Sequence, residues 1–256
     1  MTKSMKVERM QVTIYDSNEA LGAAAANDLA EILDAAIAER GEASIIVATG
    51  NSQLSFIKAL RAKPGVRWDK ITVFHLDEYL GISNQYSFSL QRWALDQLIN
   101  VVHPDKFYGI RGDTPDIEAE MAHYAALLDA HDPIACVLGI GENGHLAFND
   151  PPADFNTEKT IQIVPLAERS RQQQVGEGHF KSLDQVPQQA ISLTVPALLK
   201  PQHVLAVVPE SRKAPSVKAA LEGPITPDCP ASILRTFAHV KLYLDLDSAS
   251  MLRQLA

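Results

Sequence analysis

Short apolar runs alternate along the chain with longer segments in which apolar residues recur every three or four positions. The runs have the length of strands, and each ends at glycine or at polar residues. They cover residues 12–15, 44–48, 71–74, 133–138, 160–164, 190–193, 203–208 and 240–244. Almost wholly apolar runs of this length are typical of strands that are covered on both faces of a parallel sheet.

The segments between these runs predict helices. The first helix opens at a capping box formed by Asp16 and Glu19 and ends near Arg40 and Gly41. Further helices are predicted after residue 54, around 87–100, over 117–130 and from about 211 to 221. Strands that alternate with helices predict an α/β fold: a doubly wound, mostly parallel sheet, Rossmann-like, with helices on both faces. We expect a single domain over residues 1–256, because no linker or low-complexity tract divides the chain.

The composition of the chain disfavours nucleic acids and membranes as partners. The chain has 256 residues, 46% of them hydrophobic, and a net charge of -8, which argues against a nucleic-acid surface. No apolar stretch approaches the roughly twenty residues that span a bilayer, and the start lacks the apolar core of an export signal, so we expect a cytoplasmic protein without a membrane partner. Cys136 and Cys229 lack the spacing of metal ligands and are expected to be free thiols, so no metal site is predicted.

The segment that follows the strand at 133–138 carries the densest candidate chemistry. It reads Gly-Ile-Gly-Glu-Asn-Gly-His-Leu-Ala-Phe-Asn-Asp-Pro over residues 139–151. His145 can exchange protons near neutral pH and Asp150 can orient its ring, which is the minimum for a proton-handling pair. The alternative is that His145 is an ordinary hydrogen-bonded histidine beside a turn.

The same segment also matches the dinucleotide fingerprint Gly-x-Gly-x-x-Gly through Gly139, Gly141 and Gly144. That fingerprint requires a helix directly after the glycines, whereas the Asn-Asp-Pro-Pro run at 149–152 breaks any helix there. It also belongs in the first strand-helix-strand unit of a fold, and this segment lies in the middle of the chain. We therefore do not predict a nicotinamide or flavin cofactor.

A second candidate is the turn Thr49-Gly50-Asn51-Ser52, which lies between a buried strand and the start of a helix. Free N–H groups and the helix dipole at such a position favour a phosphate or another anion. Ser52 could add a hydroxyl, although a plain turn with Ser52 as the helix N-cap explains the pattern equally well. The turn lacks the lysine of a P-loop.

Two further strand ends carry ionisable groups. Asp77 follows the strand at 71–74, where partial burial would raise its pKa into the range of a general base; the alternative is a solvated acidic pair with Glu78. Lys213 follows the strand at 203–208 at a helix start and could meet an anion there, although an isolated lysine is more often solvated. Because the carboxyl ends of parallel strands share one edge of the sheet, we expect these groups to converge.

Three of these motifs together resemble the glucosamine-6-phosphate deaminases, in the superfamily that also holds the 6-phosphogluconolactonases. Residues 48–52 resemble the family's Ala/Pro-Thr-Gly-x-Thr/Ser phosphate loop, and residues 76–79 its Met-Asp-Glu-Tyr segment. Residues 139–151 resemble its Gly-Asp-Gly-His-Ile-Ala-Phe-Asn-Glu-Pro segment. The likeness covers nearly the whole chain, and the three motifs occur in the family's order at similar spacings.

The resemblance implies a cofactor-free reaction in which a hexosamine 6-phosphate opens its ring, isomerises through an enolamine and loses ammonia. It implies that His145 catalyses ring opening, that Asp77 moves a proton between C2 and C1, and that Asp150 holds the imidazole. The small-molecule sugar phosphate is the implied partner, and a homo-oligomer is compatible with the family. The implied substrate-binding residues are Thr49, Gly50, Asn51, Ser52, Glu78, Gly144, Arg171 and Lys213.

Three departures from the family's pattern matter. Asn143 stands where the deaminases usually carry Asp and cannot act as a base, and Asp150 stands where they usually carry Glu. The family's phosphate-binding arginine has no clean match, and Arg171 is the substitute. The Arg-x-Gln-Gln pattern at 171–174 is also similar to galactosamine-6-phosphate isomerases, so the configuration at C4 of the sugar stays open.

Two other functions are compatible with the superfamily. A sugar-phosphate lactonase would use His145 to activate water, but the lactonases lack the Phe-Asn-Glu/Asp-Pro element and the Asp-Glu-Tyr triplet. A sugar-phosphate sensor attached to a DNA-binding domain is disfavoured, because the chain has no helix-turn-helix segment before its first strand and is acidic.

Overall fold

The computed structural model describes residues 2–253. Eleven strands form within these residues. They are β1 (Lys3–Val7), β2 (Met10–Tyr15), β3 (Ala43–Val47), β4 (Ile71–His75), β5 (Asp77–Tyr79), β6 (Lys106–Tyr108), β7 (Ala135–Leu138), β8 (Ile161–Pro165), β9 (Gln189–Leu193), β10 (His203–Val208) and β11 (Val240–Asp245).

Eight of the strands form the central sheet, in the order β1-β2-β11-β10-β7-β3-β4-β6. Only β1 pairs antiparallel, with β2, and the other neighbours are parallel. The predicted mostly parallel α/β sheet is therefore confirmed. Four strands that carry candidate groups at their carboxyl ends, β10, β7, β3 and β4, are consecutive in this order.

The helices pack on both faces of this sheet. They are α1 (Asn18–Arg40), α2 (Leu54–Ala62), α3 (Leu90–Ala94), α4 (Asn100–Val102), α5 (Ile117–His131), α6 (Glu168–Gly176), α7 (Val195–Leu199) and α8 (Ala214–Glu222), with a π-helical segment (Leu95–Ile99) between α3 and α4. Ile45 and Val47 of β3 pack in one buried cluster with α1 and α2, while Ile46 packs in another with α5 and α8. This alternation follows from the two-residue period of a strand and explains why the strands are apolar on both faces.

The strands predicted at 160–164 and 190–193 do form, but they lie outside the central sheet. As β8 and β9 they pair antiparallel, and β9 also pairs antiparallel with β5, which gives a small sheet in the order β5-β9-β8. A short apolar run does not specify its pairing partner, which is why the sequence did not separate the two sheets. In this small sheet Asp77, which follows β4, is the first residue of strand β5.

Some local predictions are corrected. The N-cap of α1 is Ser17, whose hydroxyl accepts a hydrogen bond from the Ala20 N–H, so the helix does not open at a box formed by Asp16 and Glu19. Its predicted end is confirmed, with Gly41 in the left-handed conformation as the C-cap. Five elements among the described strands and α-helices were not predicted: β1, β5, β6, α6 and α7. Within residues 2–253 no helix combines the length and apolarity needed to cross a membrane.

Candidate active site

An open cleft lies at the carboxyl edge of the central sheet, where β10, β7, β3 and β4 end. Its unfilled space, open solvent included, is about 630 Å³. It is lined by Ala48, Thr49, Gly50, Ser52, Gln53, Leu76, Asp77, Leu90, Gly139, Ile140, Gly141, His145, Ala147, Phe148, Gln173, Gln174, Glu177, His179 and Lys213. The structure thus brings the predicted groups from all four strand ends to one place.

The turn after β3 presents peptide N–H groups to this cleft. Gly50 has a φ of 98°, which any other residue would adopt with strain, and residues 51–53 form one 3-10 turn that leads into α2. In the part of the chain that the structure describes, the N–H groups of Gly50, Asn51 and Ser52 have no hydrogen-bond acceptor. Three unpaired amides at a helix start form a ready site for an anion.

Lys213 adds a cation beside this turn. Its side chain is only 3% exposed, and burial, followed by the positive charge of Arg212, lowers the pKa of Lys213 to about 8. No described residue forms a hydrogen bond or an ion pair with its ammonium group. The charges of Glu177, Glu142 and Glu210 attract this ammonium without pairing with it directly, and a buried ammonium without a direct partner is costly, so the group is suited to a bound anion.

Asp77 lines the same cleft, as the first residue of β5. It is 6% exposed, and burial, followed by the negative charge of Glu78, raises the pKa of Asp77 to about 8. A carboxyl group with such a pKa is a weak acid when protonated and a usable base when ionised, at a pH near neutrality.

Glu78 does not line the cleft, which corrects its predicted place among the substrate-binding residues. Its carboxylate accepts hydrogen bonds from the Ser89 hydroxyl and from the N–H groups of Tyr79, Leu90 and Gln91, at 2.6 to 3.1 Å. Successive residues of a strand face opposite sides, so Asp77 and Glu78 cannot both face the cleft. Glu78 instead fixes the start of α3.

His145 and Asp150 form the predicted pair. Nδ1 of His145 lies 3.2 Å from Oδ1 of Asp150, and the imidazole lines the cleft while Asp150 lies behind it. Burial raises the pKa of Asp150, but hydrogen bonds and charge from His145, together with hydrogen bonds from Ser170 and Asn143, outweigh it and lower the value to about 2. Asp150 is therefore an ionised acceptor at neutral pH.

Asn143 also lies behind the imidazole and does not line the cleft. Its side-chain amide donates to Oδ1 of Asp150 at 2.8 Å and to Oγ of Ser170 at 3.2 Å, and its oxygen accepts from the backbone N–H of His145 at 3.1 Å. An amide both donates and accepts, so Asn143 can join Asp150 to the His145 backbone, which a carboxylate there could not do.

Gly141 is fixed by the imidazole of His145. A Cβ atom on Gly141 would lie 2.2 Å from Nε2 of His145, far inside contact distance. We expect Gly141→Ala to displace the ring and lower kcat by about a hundredfold, as a shift of about 1 Å of a catalytic group does. Steady-state kinetics checks this, with Gly176→Ala, whose Cβ would meet no atom within 4 Å, as the control. Equal kcat values for the two variants would contradict the placement of the ring.

The remaining wall of the cleft is formed by α6 and the turn that follows it. The sequence did not predict this segment. Gln173, Gln174, Glu177 and His179 line the cleft from this segment. The peptide oxygen of Glu177 accepts from the Asn51 side chain at 3.3 Å, and its carboxylate pairs with Arg212. The segment therefore spans the cleft from the His145 side to the turn at residues 49–52.

The carboxylate of Glu177 is held by its partners. Burial raises its pKa, but hydrogen bonds from His179 and Arg212, the charge of Arg212 and a hydrogen bond from Gln173 outweigh it and lower the pKa to about 2. Arg212 also pairs with Glu210 and Glu142, so its charge is neutralised within the protein. Lys213 is therefore the better-placed cation for an anionic ligand.

Gln53 is a further lining residue that the sequence did not single out. Its side chain is buried and its Nε2 donates to the Val207 carbonyl at 3.1 Å, while Oε1 accepts no hydrogen bond from any described residue. Its position directly after the turn at 49–52 was the only indication available in the sequence.

Three more predicted binding residues lie outside the lining. The Asn51 side chain donates to the peptide oxygen of Glu177 instead, and Gly144, with a φ of 86°, shapes the loop before His145. Arg171 donates to the carbonyls of Leu183 and Val186 at 2.6 to 3.3 Å, so its guanidinium anchors the segment after α6 and is not a cleft cation. The substitution of Arg171 for a phosphate-binding arginine is therefore corrected.

The chain matches, over residues 16–243, the model of a family described as glucosamine-6-phosphate isomerases/6-phosphogluconolactonase. It is 34% identical to a glucosamine-6-phosphate deaminase of Streptococcus pyogenes serotype M3, over 83% of this chain and 89% of the relative. It is also 34% identical to one of Exiguobacterium sibiricum, over 82% and 81%.

Solved structures agree with these relatives. A monomeric glucosamine-6-phosphate deaminase superimposes with a TM-score of 0.86 at 29% identity, covering 96% of this chain and 100% of that one. A 6-phosphogluconolactonase of Shewanella baltica superimposes with a TM-score of 0.75 at 20% identity, over 94% and 97%, which shows the shared fold alone.

Proposed function

Because the chain belongs to the family of glucosamine-6-phosphate isomerases and 6-phosphogluconolactonases, we propose that it deaminates a hexosamine 6-phosphate, with glucosamine 6-phosphate as the first candidate. The reaction takes this substrate and water to fructose 6-phosphate and ammonia. One observation carries the proposal: Asp77, His145, Lys213 and the turn at residues 49–52 line a single cleft.

The anionic end of the substrate is proposed to bind the unpaired amides of Gly50 to Ser52 and the ammonium of Lys213. Both are unsatisfied in the described part of the chain, and together they offer positive charge without a competing acidic partner at hydrogen-bond distance. Binding here would fix the sugar so that its reacting carbons meet Asp77 and His145.

His145 is proposed to catalyse ring opening, by moving the proton of the C1 hydroxyl to the ring oxygen. Its Nδ1 faces Asp150, which leaves Nε2 for the substrate. Asp77 is then proposed to take the proton from C2 while the C1 carbonyl oxygen takes a proton from the substrate's ammonium, which forms the neutral enolamine. Asp77 then returns its proton to C1. The resulting iminium at C2 adds water and releases ammonia, so that the proton borrowed by Asp77 is retained in the product.

The pH dependence of kcat/KM and kcat should report the ionisation of Asp77. In the free enzyme kcat/KM is expected to rise with pH as Asp77 ionises, since the base form is required and burial raises the pKa of Asp77 to about 8. At higher pH kcat/KM is expected to fall again, because burial lowers the pKa of Lys213 to about 8 and its ammonium loses the proton. In the complex the substrate's ammonium lies beside the carboxylate and favours its ionised form, so the acid limb of kcat is expected at lower pH.

Initial rates of ammonium release over pH 5–10 give the acid limbs of kcat/KM and of kcat. The values of kcat/KM are corrected for ionisation of the substrate's amine, which is titrated separately. An acid limb of kcat/KM below pH 6 would contradict Asp77 as the base.

The function is tested by release of ammonium together with fructose 6-phosphate from glucosamine 6-phosphate and, in parallel, by release of ammonium together with the C4 epimer of fructose 6-phosphate from galactosamine 6-phosphate. Turnover of the galacto-configured sugar alone would reassign the substrate. Hydrolysis of 6-phosphogluconolactone with no ammonium from either amino sugar would replace the deaminase proposal by a lactonase.

A further inference from the structure

Ser170, on the first turn of α6, contacts every side chain behind the imidazole of His145. Its hydroxyl donates to Oδ1 of Asp150 in the closest contact of the group, and its Oγ lies 3.2 Å from Nδ1 of His145 and 3.2 Å from the amide nitrogen of Asn143. It is 3% exposed and does not line the cleft. It therefore acts on substrate only through its neighbours.

The protons of this group can be assigned from its chemistry. Asp150 is ionised and only accepts, so the single hydroxyl proton of Ser170 lies toward Asp150. The Ser170 oxygen is then an acceptor toward its other neighbours, and the Asn143 amide supplies one of its protons to it. Nδ1 of His145 thus faces two acceptors, Asp150 and Ser170, and must carry a proton.

This assignment fixes the neutral tautomer of His145. With the proton on Nδ1, Nε2 keeps its lone pair, and Nε2 is the atom that lies over Gly141 at the cleft. If the Ser170 hydroxyl turned its proton toward Nδ1, it would leave Asp150 short of a donor and favour the opposite tautomer. The orientation of one hydroxyl group therefore decides which ring nitrogen can act on substrate.

Ser170 also ties the imidazole to α6. Oδ2 of Asp150 accepts from the N–H of Ala167, directly before α6, at 2.8 Å, so both carboxylate oxygens of Asp150 are held by this helix start. The far end of the same segment contacts Asn51 and Arg212 through Glu177. Displacement of α6 would release Asp150 and, with it, the ring of His145.

We propose that Ser170 is a positioning residue that sets the Nδ1–H tautomer and the orientation of His145, and that makes this orientation depend on the docking of α6. The proposal rests on the proposed function for its kinetic consequence only. Asn143 donates to the same oxygen of Asp150, but its oxygen accepts from the His145 backbone and it makes no hydrogen bond to Nδ1 of His145.

The kinetic arm of the test compares Ser170→Ala with the wild type. We expect kcat for ammonium release to fall roughly ten- to a hundredfold, while KM and the inhibition constant of inorganic phosphate stay within twofold, because Ser170 does not line the cleft. Ser44→Ala is the matched control: Ser44 is also buried and also loses a hydroxyl hydrogen bond, to the His131 carbonyl at 2.7 Å, at the other end of β3.

The second arm does not depend on activity. Nitrogen-15 NMR of the imidazoles, at a pH where the ring is neutral, reports the tautomer, with His145 assigned through a His145→Gln spectrum. We expect the Nδ1–H form to predominate in the wild type and in Ser44→Ala. The Nε2–H fraction is expected to rise at least threefold in Ser170→Ala, because without the Ser170 hydroxyl the Asp150 carboxylate is no longer held against Nδ1.

The results of the two experiments distinguish a role of Ser170 in positioning His145 from a role in packing alone. A predominant Nε2–H form in the wild type overturns the proposal, even if Ser170→Ala does not fold. A kcat loss without a change of tautomer, or a parallel loss in Ser44→Ala, also overturns it, because either result points to packing alone. If the wild type releases no ammonium, the proposed function fails while the spectra still decide the role of Ser170.

Discussion

Asp77→Asn is expected to lower kcat for ammonium release by about 10² to 10⁴-fold, which is the usual contribution of a positioned general base. Asparagine keeps the shape and the burial of Asp77 but cannot take the proton from C2. KM and the affinity for inorganic phosphate are expected to change little, because Lys213 and the turn at residues 49–52 are untouched.

The same substitution is expected to stabilise the protein. Burial raises the pKa of Asp77 from 3.8 to about 8, so the folded state holds a proton more tightly than the unfolded state does. The wild type therefore loses stability as the pH rises from 3.8, and the full cost is present above about 8. At pH 7 this cost is on the order of 4 kcal/mol, which Asp77→Asn removes.

Thermal unfolding at pH 4 and pH 8 measures this effect. The Tm advantage of Asp77→Asn should be small at the lower pH and large at the higher one. Asp129→Asn serves as the control, because it removes an exposed carboxylate that pairs with Lys200 far from the cleft. A variant with kcat within tenfold of the wild type, or with a Tm advantage independent of pH, would show that Asp77 is not the buried base.

The convergence of the site was predictable because it follows from topology. Apolar runs identified β3, β4, β7 and β10, and parallel strands place their carboxyl ends on one edge whatever their order. Gly50, Asp77, His145 and Lys213 could thus be expected to meet before any coordinate was known. Which strands are neighbours is a matter of long-range packing, and the local pattern does not contain it.

The misplacement of Glu78 had a different cause. The family resemblance implied a substrate-binding role for Glu78, and the residues alone show only that both acids follow the strand at 71–74. In the structure Asp77 and Glu78 belong to the three-residue strand β5, and the two-residue period of a strand sends one to the cleft and the other to α3. A strand this short, with two acids, has no apolar pattern by which to recognise it.

The segment from α6 to His179 was missed because it is polar. The helix reads Glu-Arg-Ser-Arg-Gln-Gln-Gln-Val-Gly, and only Ser170 among its residues is buried. Hydrogen bonds to Asp150, Asn51 and Arg212 hold it in place instead of an apolar face. Hydrophobic periodicity finds helices that pack on a core, so it does not detect a helix that covers a site through polar contacts.

Lys213→Met is expected to lower kcat/KM for the phosphosugar by about thirty- to several thousandfold. A buried charge that binds an anion contributes about 2–5 kcal/mol, and methionine fills the space without the charge. The loss should appear mainly as a rise in KM. The slow turnover of the unphosphorylated amino sugar, which lacks the group that Lys213 would bind, should be the same in the variant and in the wild type.

Stability separates this binding role from a structural one. Burial and the charge of Arg212 lower the pKa of Lys213 from 10.5 to about 8, so the wild type carries the cost of a buried ammonium below pH 8 and loses that cost as the pH rises to 10.5. Lys213→Met should therefore have the higher Tm at pH 7. Inorganic phosphate should raise the Tm of the wild type and of the control Lys218→Met, and should raise that of Lys213→Met much less, because only the amides of the turn at residues 49–52 remain to bind it. Equal stabilisation of all three proteins by phosphate would place the anion elsewhere, because only an ion that pairs with the buried ammonium relieves its cost.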